Sequence, residues 1–258
     1  SAELPCVGRI LMLKVRVIPT ILVDGLSVLK GERFDSWRTV GTIVQSVRVY
    51  NARDVDELVI LDVAARSEGQ LCDLDIVETA AEESRVPLTV GGGVDSVDDV
   101  RDLLQAGADK VVVNSAAYAD PEFIERAAAE FGSQCIVASI DVRLDPVQGY
   151  MCVSNSGSQP TGRHVTEWAK EVQARGAGEI LLCRVENDGL LTGYDLPLIQ
   201  SVTEAVTIPV IASGGASDYS DMGRALVEAG ASAVAAGAMF QFTEQTPRGA
   251  REHLATLG

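Results

Sequence analysis

Eight short runs of apolar and β-branched residues recur along the chain, and longer amphipathic segments separate them. Strands that are apolar throughout and alternate with helices are typical of a parallel sheet covered by helices. Eight such units in 258 residues predict an α/β fold, a closed (β/α)₈ TIM barrel. The predicted strands are Arg16–Val23, Glu57–Val63, Pro87–Val90, Lys110–Asn114, Cys135–Asp141, Glu179–Arg184, Pro209–Ser213 and Ala233–Gly237.

An open, doubly wound sheet is the alternative architecture. That fold usually has a glycine-rich GxGxxG turn after its first strand. The segment Pro19–Gly25 lacks this spacing, so the barrel is favoured.

An internal repeat also favours the barrel. The segment from Val90 to Ala116 resembles the segment from Ile211 to Ala238, and each contains an Ala-Gly-Ala helix end. Two similar half-barrels of four strands would produce this spacing. No linker is evident, so we interpret residues 12–258 as one barrel domain and residues 1–11 as an N-terminal extension.

The charge balance excludes several classes of partner. Lys and Arg number 21 against 37 Asp and Glu, a net charge of −16, and such a surface repels nucleic-acid phosphates. No apolar run reaches the roughly 20 residues of a membrane helix, and no secretory signal is evident. We therefore expect a cytoplasmic protein that binds neither nucleic acid nor membrane.

Cysteine and histidine usage predicts neither a metal site nor a disulfide framework. The five cysteines are scattered without a CxxC pair, and the two histidines are far apart in sequence. Such cysteines are typical of reduced thiols in a cytosolic protein. We expect no metal and no cofactor.

Glycine-rich segments follow three of the predicted strands, and the small polar pair Asn114-Ser115 follows a fourth. Backbone N–H groups at such turns can bind phosphate oxygens, and the loops after strands seven and eight are a frequent phosphate site in this fold. The alternative is that the glycines only form tight turns. Two sites on opposite sides of the barrel would fit a ligand with a phosphate at each end; they comprise Gly92, Gly93, Asn114 and Ser115, and Gly214, Gly215, Gly237 and Ala238.

Polar residues at the carboxyl ends of other strands are candidates for chemistry, because barrel active sites lie there. Asp141 ends the fifth strand and could act as a general acid or base, or form a helix cap or a salt bridge with Arg143. Asp62 holds the equivalent place on strand two. Lys30 follows strand one in a predicted lid loop, and the pair Asp188-Gly189 follows strand six.

Motifs distributed from about Met12 to Phe242 resemble the cyclase subunit of imidazole glycerol phosphate synthase, a family of histidine biosynthesis. The resemblance implies a two-fold repeated barrel, a phosphorylated substrate, and ammonia delivered by a separate glutaminase subunit in a heterodimer. The matching segments are Lys30-Gly31 with Phe34, Asp56–Leu58, Leu61-Asp62, Val90–Gly93, Gly107–Val111, Asn114–Ala117, Phe131–Gln134, Arg175–Leu182, Asp188-Gly189, Gly193–Asp195 and Ala212–Ala216.

One departure from the family pattern concerns catalysis. The family uses two aspartates, of which the second maps to Asp141 and the first to Leu22. Leucine cannot transfer a proton, and losing an acid–base group typically costs about 10²–10⁴-fold in rate. Asp24 lies two residues on and is a candidate substitute, on the same strand face but about 6–7 Å away.

The resemblance also implies a gate for ammonia at the amino-terminal ends of the strands. Its four charged residues map to Arg16, Glu57, Lys110 and Glu179, and Asp109 matches the residue that faces the glutaminase. Two cations and two anions can satisfy one another in a ring. A purely structural plug would have the same composition.

A paralogous branch of this family matches some segments better. Arg16–Thr20, Ser139–Val142 and Ala233–Gly237 look like proteins associated with glycosyl amidation. The leading hypothesis is therefore an ammonia-handling synthase subunit specialised for amidation of a sugar or another metabolite. A histidine-pathway cyclase with a displaced acid and a non-catalytic, ammonia-conducting barrel remain the alternatives.

Overall fold

Eight parallel strands close into a barrel in the computed structural model, which describes residues 15–257. Each strand pairs in parallel with the next, and the last pairs with the first to close the ring. The barrel strands are β1 (Arg16–Asp24), β4 (Leu58–Asp62), β5 (Leu88–Gly91), β6 (Lys110–Val113), β7 (Ile136–Asp145), β10 (Glu179–Arg184), β11 (Val210–Ser213) and β12 (Ala233–Ala236).

Helices connect these strands and cover the outside of the barrel. Side chains cap several of them. Ser96 and Asp99 form a capping box at the helix that begins at Val97. The Asp195 side chain accepts a backbone hydrogen bond at the start of the helix that begins at Leu196. The helices are α1 (Ile43–Asn51), α2 (Ala65–Glu68), α3 (Leu74–Glu83), α4 (Val97–Gln105), α5 (Ser115–Ala119), α6 (Glu122–Phe131), α7 (Val165–Ala174), α8 (Leu196–Thr203), α9 (Tyr219–Val227), α10 (Ala238–Phe242) and α11 (Pro247–Ala255).

Two antiparallel hairpins extend the barrel at equivalent places. β2 (Ser27–Glu32) and β3 (Asp35–Thr42) follow β1, and β8 (Gly149–Ser154) and β9 (Gln159–His164) follow β7. Since β1 and β7 each begin a set of four barrel strands, the hairpins repeat the two-fold pattern of the sequence.

The apolar core has two layers, as the two faces of the strands require. The larger layer lies between the barrel and its helices and includes Trp168 and Phe123. The smaller layer fills the barrel interior with Ile18, Val59, Val112, Val137, Leu181, Ile211, Ala233 and Ala235.

The predicted barrel is confirmed, and each predicted strand matches an observed strand within one or two residues except the fifth. That strand, β7, extends to Asp145 because it pairs with β8. The predicted lid loop after strand one is wrong in form, because Lys30 and its neighbours lie in β2, which pairs with β3. The predicted extension, residues 1–11, and Cys6 lie outside the described residues. No helix in the described part is long and apolar enough to cross a membrane.

Candidate active site

A cavity of about 170 Å³ lies at the carboxyl ends of the barrel strands. We call it the main cavity. Seven of the eight barrel strands contribute a wall residue, and Gly92 and Gly93 line the cavity directly after β5. The β2–β3 hairpin adds Phe34 and Trp37. Of the predicted ligand and catalytic residues, the structure brings the following to this cavity: Lys30, Asp62, Gly92, Gly93, Asn114, Ser115, Asp141, Asp188, Gly189, Gly214, Gly215, Gly237 and Ala238.

Asp141 is a buried carboxyl at the point where β7 leaves the barrel. Burial and, to a smaller extent, the charge of Asp188 raise its pKa to about 7, and hydrogen bonds from Asn114 and Ser139 oppose this shift. The Asn114 amide donates to Oδ2 over 2.8 Å. A carboxyl with this pKa can give or accept a proton near neutral pH.

Lys30 brings a buried ammonium group to the loop after β12. A Cβ built on Gly237 would lie 2.3 Å from the Lys30 Nζ atom, so the two are in direct contact. Burial lowers the pKa of Lys30, and the nearby charge of Asp188 opposes that change. Burial raises the pKa of Asp188 in turn, and Lys30 opposes it.

The β2–β3 hairpin closes against the turn that carries Asp188. The backbone N–H of Arg33 donates to the Asp188 carbonyl at 2.9 Å. A Cβ on Gly189 would lie 2.2 Å from the Gly31 carbonyl oxygen. The hairpin therefore covers one side of the main cavity and positions Lys30 inside it.

Asp62 lines the main cavity, but its carboxylate also caps α2. Its Oδ1 accepts from the backbone N–H groups of Ala64 at 3.0 Å and Ala65 at 2.9 Å. Burial raises the pKa of Asp62, and these two hydrogen bonds oppose the rise. This geometry supports a structural role for Asp62 at the start of α2 as much as a role in ligand binding or catalysis.

The two glycine-rich regions face the cavity from opposite halves of the barrel. Gly92 has φ +133° and Gly215 has φ +105°, and added Cβ atoms would lie 2.6 Å from Asp62 Cβ and 2.4 Å from the Gly193 carbonyl oxygen. Only glycine fits such a close backbone approach. Ser115 and Ala238 begin the short helices α5 and α10 beside these turns.

Leu22 occupies the cavity wall at the end of strand one, with 9% of its side chain exposed. Asp24 does not reach the cavity. The chain turns at Gly25, with φ +52°, and Asp24 pairs with Ser27 across that turn, where it is exposed. The hypothesis that Asp24 replaces the missing acid is therefore not supported by its position.

Sequence reasoning missed several cavity residues. Ser139 precedes Asp141 by two residues on β7 and so shares its face, which is a signal that could have found it. Cys183 pairs in register with Asp141, and burial raises its pKa well above the ordinary value. Phe34, Trp37 and Arg66 reach the cavity from connecting segments that carry no such periodicity.

The four predicted gate residues meet at the opposite end of the barrel. Arg16 pairs with Glu57 at 2.7 Å and also with Glu179, and Lys110 lies 3.0 Å from both carboxylates. Thr89 donates to Glu57 as well, at 2.6 Å. Glu57 and Glu179 are buried. The two cations of the ring balance the charges of these two buried carboxylates.

Asp109 is exposed beside this ring. Its Oδ2 accepts from the backbone N–H of Leu88 at 2.8 Å. The residue lies at the end of the barrel where Lys110 begins β6.

The fold is a (β/α)₈ barrel, and its main cavity lies at the carboxyl ends of the strands. Residues 16–246 match the family described as histidine biosynthesis protein, and the chain belongs to that family. It is 46% identical over 247 residues to imidazole glycerol phosphate synthase subunit HisF of Hyphomonas neptunium, covering 96% of this chain and 98% of that relative. The resemblance to the cyclase subunit is thereby confirmed.

Proposed function

We propose that this chain is the ammonia-handling synthase subunit of a glutamine amidotransferase system, specialised for amidation of a phosphorylated or sugar-derived metabolite. The observation that carries this proposal is that Leu22 and Asp141 line the same cavity. The cavity keeps one acid–base carboxyl with a pKa of about 7. It lacks the second carboxyl that cyclisation uses in the resembled family.

The glycine turns support a phosphorylated ligand. Gly214 and Gly215 lie with Gly237 and Ala238 on one side, and Lys30 adds a cation there. Backbone N–H groups and an ammonium together favour a phosphate. Gly92 and Gly93, with Ser115, form the weaker site opposite.

Asp141 is placed to serve the addition of ammonia to an electrophilic carbonyl carbon. As the nitrogen lone pair forms the C–N bond, the carboxylate accepts a proton from that nitrogen. The carbonyl π electrons move onto oxygen, and the resulting carboxylic acid returns that proton to the alkoxide, which gives a carbinolamine. A second proton passes from the nitrogen to the oxygen through the same carboxyl, the C–O bond breaks, water leaves, and an imine remains. Asn114 holds the carboxylate throughout through its 2.8 Å hydrogen bond.

The opposite end of the barrel supports delivery of ammonia by a partner. At this end the charged ring borders the apolar side chains that fill the barrel interior, which include Ala233 and Ala235; the ring consists of Arg16, Glu57, Lys110 and Glu179. Neutral ammonia that passes between these apolar side chains avoids the desolvation cost of an ion. We propose that a separate glutaminase subunit docks at this face, next to Asp109, and forms a heterodimer.

A histidine-pathway cyclase is the second candidate. The similarity to a subunit named imidazole glycerol phosphate synthase HisF extends over nearly the whole of both chains. The experiment that separates the candidates is turnover of the histidine-pathway substrate by the purified chain with ammonium salt. Formation of imidazole glycerol phosphate at an enzymatic rate would establish the cyclase and overturn the amidation proposal.

A non-catalytic barrel is the third candidate, and co-expression with a glutaminase subunit tests it. We expect a complex in which Asp109→Ala weakens binding and Lys110→Ala uncouples glutamine hydrolysis from product formation. Asp141→Asn should then abolish product formation while leaving the complex intact. Product formation that is unchanged in Asp141→Asn would leave a barrel that only conducts ammonia.

A further inference from the structure

A second cavity, of about 240 Å³, lies next to the main cavity. We call it the side pocket. Its walls come from α5, from the β8–β9 hairpin and from Arg66, which follows β4. Arg66 and Ser115 line both cavities, so the two adjoin at these residues.

Among the residues that the structure describes, two arginines and no carboxylate line the side pocket. Arg66 and Arg163 both line it, and its described walls contain no Asp or Glu. The carboxylates that pair with these arginines, Asp95 and Glu171, lie outside those walls. The pocket therefore offers cationic donors against a net charge of −16 for the chain.

Both guanidinium groups are held in place and retain free donors. Arg66 donates from Nε to the Asn155 side chain at 3.2 Å and pairs with Asp95 through Nη1. Arg163 pairs with Glu171 through Nη1, and its Cζ lies 4.5 Å from the centre of the Trp168 ring. A guanidinium has five N–H donors, so most donors of Arg163 remain for a ligand.

Stacked aromatic rings support the same walls. The Tyr118 ring stacks on Trp168 with centroids 4.6 Å apart, and the Arg163 guanidinium packs on the other ring of this pair. The Tyr118 hydroxyl is buried beside the Cys152 thiol, so it stabilises the wall and is not a donor to a ligand.

We propose that the side pocket binds an anionic group, a carboxylate or a phosphate, carried by the molecule that occupies the main cavity. Guanidinium groups bind both anions through paired N–H donors. This inference rests on the proposed function for the presence of a phosphorylated ligand in the main cavity. It adds that the acceptor has a further acidic substituent, which the side pocket selects.

The first test locates the anion directly. Crystals of the full chain are soaked in sodium selenate, with chloride at equal ionic strength as the reference, and anomalous maps are compared for wild type and Arg163→Met. We expect a selenium peak between Arg66 and Arg163 in the wild type and loss of that peak in the variant. Arg126→Met, which removes an exposed arginine paired with Asp120, should keep the peak.

The variant is expected to fold, because Glu171 retains a partner. Arg175 lies 3.1 Å from Glu171, so removing Arg163 leaves no unpaired carboxylate. Arg66→Met offers a second route to the same measurement, since Asp95 is 56% exposed and water can solvate it. Thermal unfolding of each variant accompanies the soaks, and Arg163→Lys, which keeps the charge, should retain a weaker peak.

The second test asks which molecule carries the anion. Calorimetric binding of 6-phosphogluconate is compared with that of glucose 6-phosphate, which lacks the carboxylate. A several-fold preference for 6-phosphogluconate that disappears in Arg163→Met supports an anion on the main-cavity ligand. A selenate peak without this preference supports a separately bound anion and overturns the part of the proposal that joins the two cavities.

The outcomes also separate this inference from the proposed function. Selenate at the glycine turns but not in the side pocket overturns the inference and leaves the phosphorylated ligand standing. Selenate in the side pocket but at neither glycine turn supports the anion site and counts against the phosphate sites of the proposed function. Absence of selenate from the side pocket in wild type, together with equal affinity for the two sugar phosphates, overturns the inference entirely.

Discussion

The Asn114 side chain donates a 2.8 Å hydrogen bond to the Asp141 carboxylate and so joins the ends of two neighbouring barrel strands. This bond lowers the pKa of Asp141, but burial and the charge of Asp188 outweigh it and hold the pKa at about 7. The site therefore keeps a carboxyl that is half protonated near neutral pH, which costs stability and supplies a proton carrier.

Asp141→Asn should stabilise the chain increasingly as pH rises. The pKa of Asp141 increases from 3.8 in the unfolded chain to about 7 in the fold. Its favourable contribution to the free energy of unfolding is therefore complete below pH 3.8 and is lost as the pH rises through 7. Asparagine stays neutral, so the variant should gain up to about 4 kcal/mol over wild type by pH 8, as measured by urea unfolding at several pH values.

Asp145→Asn is the matched control on the same strand. Backbone hydrogen bonds from Gln148 and Val147 lower the pKa of Asp145, so its contribution has the opposite sign and is lost as pH falls. This variant should show no gain at high pH. Parallel pH profiles for Asp141→Asn and wild type would contradict the buried, half-protonated carboxyl.

Leu22→Asp should create histidine-type cyclase activity. The side chain lines the same cavity as Asp141, and a second acid–base group is worth about 10²–10⁴-fold in rate. We expect formation of imidazole glycerol phosphate with ammonium salt to rise by at least about 10²-fold. Leu22→Asn is the control of similar shape; equal activity in both variants would show that proton transfer is not what the wild type lacks.

Gly215→Ala should destabilise the chain and remove the phosphate site after β11. Its φ of +105° and the 2.4 Å approach to the Gly193 carbonyl oxygen exclude a side chain. The left-handed conformation alone costs about 1–2 kcal/mol for other residues, and the clash adds to this. Urea unfolding and selenate soaks measure the two effects. Gly41→Ala, where a Cβ meets nothing within 4 Å, should change stability by less than about 0.5 kcal/mol.

The sequence predicted those parts of the site that follow directly from strand periodicity. Asp141 and the glycine turns end apolar runs, and the ends of parallel strands meet in a barrel. Asp24 shows where this logic stops. Its two-residue offset from Leu22 predicts a shared strand face, but the turn at Gly25 carries Asp24 into the antiparallel hairpin and out of the cavity.

Residues in connecting segments could not be predicted from the sequence pattern. Arg66 and Arg163 lie in segments far apart along the chain, and only closure of the barrel brings them to one pocket. The ring of Arg16, Glu57 and their partners was expected from the family resemblance alone. Its ion pairs depend on side-chain directions that no spacing in the sequence specifies.

Lys110→Met should unbalance the charged ring. Lys110 lies 3.0 Å from both Glu57 and Glu179. Its replacement by methionine leaves Arg16 as the one cation of the ring, facing two carboxylates. Glu57 is 2% exposed, and an uncompensated buried charge costs about 3 kcal/mol. Urea unfolding should show a loss of that order.

Combining Lys110→Met with Glu179→Gln restores the charge balance. The double variant should therefore lose less stability than the sum of the single variants. If the ring also admits ammonia, the single variant should lose product formation from glutamine through the partner but keep it with ammonium salt. Equal losses with both nitrogen sources would assign the ring to closing the barrel end, and additive stability losses would contradict the coupling of its four charges.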